Sequence, residues 1–382
     1  MNKMRGNPAL HLLDRYLGIP AIAILGSARR KRKPPAKIET IGLLRTVAIG
    51  DTVLISGVIA DLRIAYPEAR LIFFAGPSNF EIARMLDGID RVVRVPVSNP
   101  LAGLCAVRSI PVDVIFDFGQ WPRLESLLAL FSRASFTVGF QTANQRRHYG
   151  YDMCVEHSSE VHEIQNFRRL VEVLGVRTGS GPFLKRPPSG SGAVEKYIVL
   201  HLWPGGRRKK LKQWPSERWV QLIEEFAGWG LEVLLAGAKS DRSSNDAIMG
   251  RVKHSAQRFV RNKAGASLEE TAAILADACL VVSVDSGVMH MADALGVPLV
   301  ALHGPSSSKR WGPLSANAIA IDSPLKGCGY ISLGWEKVSP PPKCMECVRY
   351  ETVRDACREI LEMEFQSMRF DAKTRSRISA AN

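Results

Sequence analysis

The residues best suited to chemistry lie in the stretch 281–313, VVSVDSGVMHMADALGVPLVALHGPSSSKRWGP. An apolar run, Leu280–Val284, ends in Asp285-Ser286-Gly287, and a short helical pattern follows through Leu295. Asp285 and Ser286 can cap that helix and turn oxygen atoms toward a polyol. His290 falls about one turn further along the same helix. A second apolar run, Leu299–Leu302, breaks at His303-Gly304-Pro305 into Ser306, Ser307, Ser308, Lys309 and Arg310. Hydroxyls, turn amides and two cations at one bend suit a phosphate. A second cationic loop, Trp203-Pro204-Gly205-Gly206-Arg207-Arg208-Lys209-Lys210-Leu211-Lys212, follows the apolar run Tyr197–Leu202 and suits a pyrophosphate for the same reason.

Strand, tight turn, helix, strand and glycine-containing turn form the rhythm of parallel α/β units, whose ligands gather beyond the C-terminal ends of the strands. The first half of the chain repeats it. Ile41–Val47 reads as a strand and Ala48-Ile49-Gly50-Asp51 as its turn. A helix from Asp51 to about Tyr66 follows, and Pro67 marks its end. Strands are expected at Leu71–Phe74, Val92–Val95, Val114–Phe118 and Phe136–Gly139, and a closing helix at His162–Leu174. Asp117, at the end of one of these strands, is a candidate for acceptor contacts. In the second half the expected pieces are a helix from Ser216, a strand at Leu231–Ala236, a short strand at Arg258–Val260 and a helix at Ser267–Ala276.

Three segments carry a resemblance. The ordered run DSGVMHMADALGVPLVALHGPSSSKRWGP, with Lys212-Gln213-Trp214-Pro215 and the opening Arg45…Gly50-Asp51…Tyr66-Pro67, resembles glycosyltransferase family 9, the bacterial lipopolysaccharide heptosyltransferases. It extends over roughly Ile41 to Cys357. It implies an α/β protein of GT-B architecture, with two Rossmann-like parallel-sheet domains facing a central cleft. The implied activity is inverting transfer of heptose from ADP-heptose to a lipopolysaccharide core or related glycolipid. It also implies Asp51 as the base and Lys212 as a phosphate ligand. Donor contacts would come from Gly205, Asp285, Ser286, Gly287, His290, Gly304, Ser306, Ser307 and Lys309, and acceptor contacts from Arg45 and Asp117. No Asp-x-Asp occurs, and the resemblance implies neither metal nor other cofactor. Hexosyl transfer, nucleotide-sugar epimerisation and non-catalytic nucleotide-sugar binding are the rival readings.

Length and charge set the frame. A chain of 382 residues suits two domains. We read residues 1–38 as an extension, 39–176 as an N-terminal acceptor domain and 177–195 as a Gly/Pro/Ser-rich linker. The donor domain would then be 196–349, followed by a helix at 350–370 that packs back on the first domain and a tail at 371–382. The net charge is +14, and nine basic residues against Asp14 alone put +8 of it in residues 1–38. With the apolar stretch Tyr16–Leu25, that suits a segment lying on an anionic inner leaflet, dispensable for turnover of a soluble acceptor. No nucleic-acid reader accompanies the charge. Seven cysteines in an irregular pattern argue for a reducing, cytoplasmic setting and against a disulfide framework. Cys344 and Cys347 have metal-ligand spacing, with Cys328 and Cys357 as the remaining candidates.

Overall fold

The computed structural model describes residues 12, 14–28, 30–121, 123–187, 197–206, 208–332, 336 and 338–363. Two compact units are present. The first takes in Met1–Lys185 with Lys309–Trp311 and Ser332–Glu336, and the second takes in the rest from Arg186.

The first unit holds one six-stranded parallel sheet. Its strands are β1 (Thr40–Arg45), β2 (Arg70–Ala75), β3 (Arg91–Arg94), β4 (Val112–Asp117), β5 (Ala134–Gln141) and β6 (Met153–Glu156). Their order is β3-β2-β1-β4-β5-β6. The inner strands are near-continuous apolar runs because helices cover both faces, and Leu43, Leu44, Phe73, Phe74 and Phe116 are fully buried. Each such side chain contributes about 1.5–3 kcal/mol of burial. β6 has exposed residues at its ends and half-buried ones between, and buries none of its four.

The second unit repeats the plan with β7 (Tyr197–His201), β8 (Glu232–Ala236), β9 (Val260–Asn262), β10 (Leu280–Val284), β11 (Leu299–His303) and β12 (Ala318–Asp322). The order is β12-β11-β10-β7-β8-β9. Each unit thus has one place where the strand order reverses, between β1 and β4 in the first and between β7 and β10 in the second. Neighbouring helices leave opposite faces of the sheet there and open a crevice at the strands' C-terminal ends.

Several expectations change. Residues 177–184 do not hang free: the amides of Gly179 and Ser180 donate to Asp61, and that of Phe183 donates to Ser56 Oγ, along the helix Ile49–Ala65. The helix 350–363 buries Val353, Cys357, Ile360 and Leu361 in the second unit's core beside Trp214 and Trp219. Its apolar side is used there. Residues 364–382, including the anticipated tail, lie outside the described residues, as do 188–195 of the linker and residue 196.

The expectation of no disulfides is corrected as well. Cys328 and Cys344 are joined, their Cα atoms 5.8 Å apart, because the turns that carry them both pack around Gly304. Cys347 and Cys357 remain thiols. With Cys344 committed, the Cys344–Cys347 pair cannot supply two thiolates to a metal. Among the described residues no cluster of three or more metal-ligating side chains occurs, and no helix is long and apolar enough to cross a membrane.

The N-terminal extension is part of the first unit. Its helix Gly18–Ser27 buries Ile22, while Asp14 pairs with Arg123 at 2.7 Å and Arg32 with Asp152 at 2.9 Å. Arg123 and Asp152 are almost wholly buried, so removing residues 1–38 strands both charges. The segment is therefore not dispensable to the fold.

Candidate functional site

At the β1/β4 crevice the chain leaves β1 at Arg45 and turns into the helix Ile49–Ala65 within four residues. Ala48 takes φ 71° to make that turn, a left-handed conformation an alanine adopts only under strain. The turn sets Asp51 in the first helical turn, facing back to the strand end. Its carboxylate pairs with the Arg45 guanidinium and accepts from Gln120 Nε2 at 3.3 Å. Gln120 donates again, at 2.8 Å, to Glu163, which also pairs with His157 at 3.0 Å. Glu125 lies 3.6 Å from Arg45 and accepts from the Thr46 amide and hydroxyl at 2.7 and 2.6 Å.

Four carboxylates therefore ring this strand end, and exposure separates them. The side chains of Asp117, Glu125 and Glu163 are fully enclosed, whereas that of Asp51 is 11% exposed. Only Asp51 can meet a hydroxyl arriving from solvent. Burial alone would lower the Arg45 pKa, but Asp51, Glu125, Glu163 and Asp117 outweigh it and raise it. Burial pushes Glu125 up, with Asp117 adding to it against the pull of Arg45. Burial would also raise Glu163, yet His157, Arg310 and Gln120 hold it below the ordinary range.

The two anticipated acceptor contacts, Asp117 and Arg45, both have protein partners. Asp117 accepts from Arg147 Nη2 and Tyr151 Oη at 2.6 Å each and from the Gly119 amide at 2.8 Å, so it builds the floor of the site. Arg45 is enclosed between Asp51 and Glu125 and pairs with both. Arg310, expected to back a phosphate, spends its guanidinium inside the first unit on Glu163 at 2.7 Å. Lys309 is exposed and clusters with that unit as well.

In the second unit the β7/β10 crevice gathers the other candidates. Lys212 ends a short turn, Lys209–Lys212, and its Nζ donates to Asp285 Oδ2 at 2.5 Å; both side chains keep some exposure. Asp285 directly follows β10, and Ser286 caps the helix Gly287–Ala294 by accepting from the Met289 amide. Burial would raise the Asp285 carboxyl, but Lys212, His303 and the Ser306 hydroxyl outweigh it and hold it far below the usual carboxylate range. Lys212, Asp285, Ser286 and Ser306 are thus brought together, with the partly exposed first residue of the helix, Gly287, beside them. His290 is buried within that helix.

The glycines act differently from expectation. Gly205 is exposed, with open space where a Cβ would stand, and the positive φ angles of that loop belong to Gly206 at 83° and Arg208 at 57°. Gly304 is buried, and an added Cβ would lie 2.4 Å from Met345 Sδ. It makes room for the 344–347 turn. Ser307 packs against Gly329, while the Ser308 hydroxyl and amide donate to Asp322.

His201 was not anticipated. It ends β7 with its Nδ1 3.1 Å from Ser286 Oγ, and burial holds its imidazole down at about 4. A polar residue closing a buried strand beside a helix cap was the available signal. The folded chain binds this proton less readily than the unfolded chain, whose histidine titrates near 6.5. Stability is therefore intact above about 6.5 and falls as the pH drops toward 4. Between pH 7 and 5 the wild type is expected to lose on the order of 2 kcal/mol more than His201→Gln, read by urea unfolding at both pH values. Equal losses would show that the imidazole is not the buried group described.

The glycosyltransferase family 9 (heptosyltransferase) profile matches residues 124–329, just over half of the chain. Lipopolysaccharide heptosyltransferase 2 of Salmonella typhimurium is 39% identical over 124 residues, 32% of this chain and 36% of that protein. Lipooligosaccharide heptosyltransferase 2 of Haemophilus ducreyi is 37% identical over 133 residues, 34% of this chain and 38% of its own length. The chain thus spans little more than a third of the length of the curated relatives it matches. Among solved structures, E. coli ADP-heptose lps heptosyltransferase II superposes with a TM-score of 0.71 at 20% identity, over 85% of this chain and 99% of that one. The family 9 glycosyl transferase from Veillonella parvula gives 0.72 at 19% identity, over 87% and 100%. At such identities the likeness is one of fold.

Proposed function

Because the chain belongs to glycosyltransferase family 9, the heptosyltransferase family, we propose that it transfers heptose from ADP-heptose to a lipopolysaccharide core or related glycolipid, with inversion. The observation that carries the reading is the Lys212–Asp285 pair across the strand-order reversal of the second sheet. An ammonium held at that crevice, beside a capped helix N-terminus, has the chemistry of a diphosphate site. The acceptor hydroxyl attacks the anomeric carbon and gives its proton to Asp51. The bond to the diphosphate breaks, and its electron pair leaves with ADP. Lys212, the Ser306 hydroxyl and the amides opening the helix Gly287–Ala294 stabilise the charge that grows on the departing oxygens. Asp285 orients Lys212 and offers its second oxygen to donor hydroxyls, and His290 supports the loop from below. Since the acceptor is a glycolipid, we read the chain as working at the inner face of a bacterial cytoplasmic membrane without spanning it.

The test is a panel of ADP-, UDP- and GDP-sugars incubated with core acceptors and followed by mass spectrometry. ADP-heptose is expected to give a product one heptose heavier. A hexose product instead would move the reading to a hexosyltransferase, and no product with any donor would sink the transfer reading.

A further inference from the structure

The helix Gly18–Ser27 has two apolar sides, and only one of them is covered. Gly18, Ile22 and Gly26, four residues apart, face the first unit. At Gly26 an added Cβ would lie 2.3 Å from the Tyr149 carbonyl oxygen, so the helix is pressed as closely as a backbone allows. Ion pairs fix what flanks it. Asp14 accepts from the Arg123 amide and guanidinium, and Arg32 donates to both oxygens of Asp152 and to the Ala134 carbonyl. The helix cannot turn over without breaking these bonds.

Its outer side is therefore held outward. Leu17 and Ile24, seven residues apart on one face, are 62% and 70% exposed, with Tyr16 and Leu25 exposed beside them. Arg15, Arg30, Lys31 and Lys33, which flank this helix in sequence, are exposed. The one carboxylate among the described residues from 12 to 37 is Asp14, which is turned inward to Arg123. The basic rim continues onto the unit itself: burial, then Lys31 and Arg146, pushes the His148 imidazole down.

We propose that this face seats the protein on an anionic lipid bilayer, with Leu17 and Ile24 entering the headgroup–acyl boundary and the rim cations meeting lipid phosphates. Ten helical residues span about 15 Å, half of a hydrocarbon core, so the helix lies in the membrane plane. Charge decides between occupants. A second copy would bring two cationic rims together, whereas an anionic bilayer complements both the apolar centre and the rim. The proposal rests on reading the acceptor as a glycolipid, but it is tested without the reaction.

The experiment is co-sedimentation of the full chain with vesicles of phosphatidylcholine alone or mixed with phosphatidylglycerol. Binding is expected on the anionic vesicles, weakening with salt, and nearly absent on the neutral ones. The double variant Leu17→Gln/Ile24→Gln should bind at least tenfold more weakly with an unchanged thermal midpoint, because both side chains lie in solvent. Lys31→Gln/Lys33→Gln should weaken binding and flatten its salt dependence. Deleting residues 1–38 is the wrong variant, since it strands Arg123 and Asp152. Equal binding by the wild type and Leu17→Gln/Ile24→Gln, or equal binding to both vesicle types, overturns the proposal. So does a wild-type dimer in sedimentation velocity that the double variant abolishes, which would make a second copy the occupant. A chain that binds vesicles as expected yet transfers no sugar supports the docking and counts against the transfer reading alone.

Discussion

Asp51→Ala is expected to lower kcat by roughly 10²–10⁴-fold while ADP binds almost as before, the usual loss when a general base is removed. The expectation follows from where the four carboxylates of the first sheet stand. Asp117, Glu125 and Glu163 are enclosed and engaged, and none of them can replace Asp51 at the solvent edge. A base acts as the acceptor proton moves, so its removal leaves donor affinity alone. Asp51→Asn preserves the Gln120 contact and the shape of the turn but cannot take a proton. It should fall as far as the alanine variant. Steady-state kinetics on both variants, with calorimetric titration of ADP, make the check. Near-wild-type kcat in either would remove Asp51 from the mechanism.

Lys212→Ala should act at the other step. A charge-assisted contact to a diphosphate is worth about 1.5–3 kcal/mol, so ADP affinity is expected to drop roughly 10- to 150-fold. The loss in kcat/KM should be larger still, because charge grows on the same oxygens as the glycosidic bond breaks. The Lys212–Asp285 pair adds a condition. In the free protein Asp285 shares the ammonium, and removing Lys212 leaves a mostly enclosed carboxylate without its main counter-charge. Part of the alanine effect is therefore structural. Lys212→Arg keeps the charge and should recover a good part of ADP binding and of the thermal midpoint. Lys212→Ala binding ADP like the wild type would assign the diphosphate to other cations, Arg208–Lys210 first.

Much of this architecture was legible because parallel strands buried on both faces leave unbroken apolar runs. Leu280–Val284 and its Asp285-Ser286-Gly287 turn stand as read, and the expected helix after Ser267 opens with a capping box between Ser267 and Glu270. β6 and β12 lie at sheet edges: β6 buries none of its residues, and β12 has only the short run Ala318–Ile321, of which Ile321 alone is buried. What was hidden is what depends on distant partners. Nothing local to Asp117 announces that Arg147 and Tyr151, 30 and 34 residues on, enclose it. Arg45 and Arg310 look like ligand cations until the carboxylates beside them are seen. Cys328 and Cys344 are 16 residues apart and meet only because both turns pack around Gly304. The extension showed its charge and its apolar patch, but not that Asp14 and Arg32 bolt it to the first unit.

The most direct test is a single turnover with ADP-heptose and a lipopolysaccharide core acceptor, quantifying ADP and the acceptor product together by mass spectrometry. Wild-type protein is predicted to release one ADP for each acceptor that gains one heptose, with Asp51→Ala giving neither at a comparable rate. ADP released without any gain in acceptor mass, or the same product formed as fast by Asp51→Ala, would contradict transfer through this base.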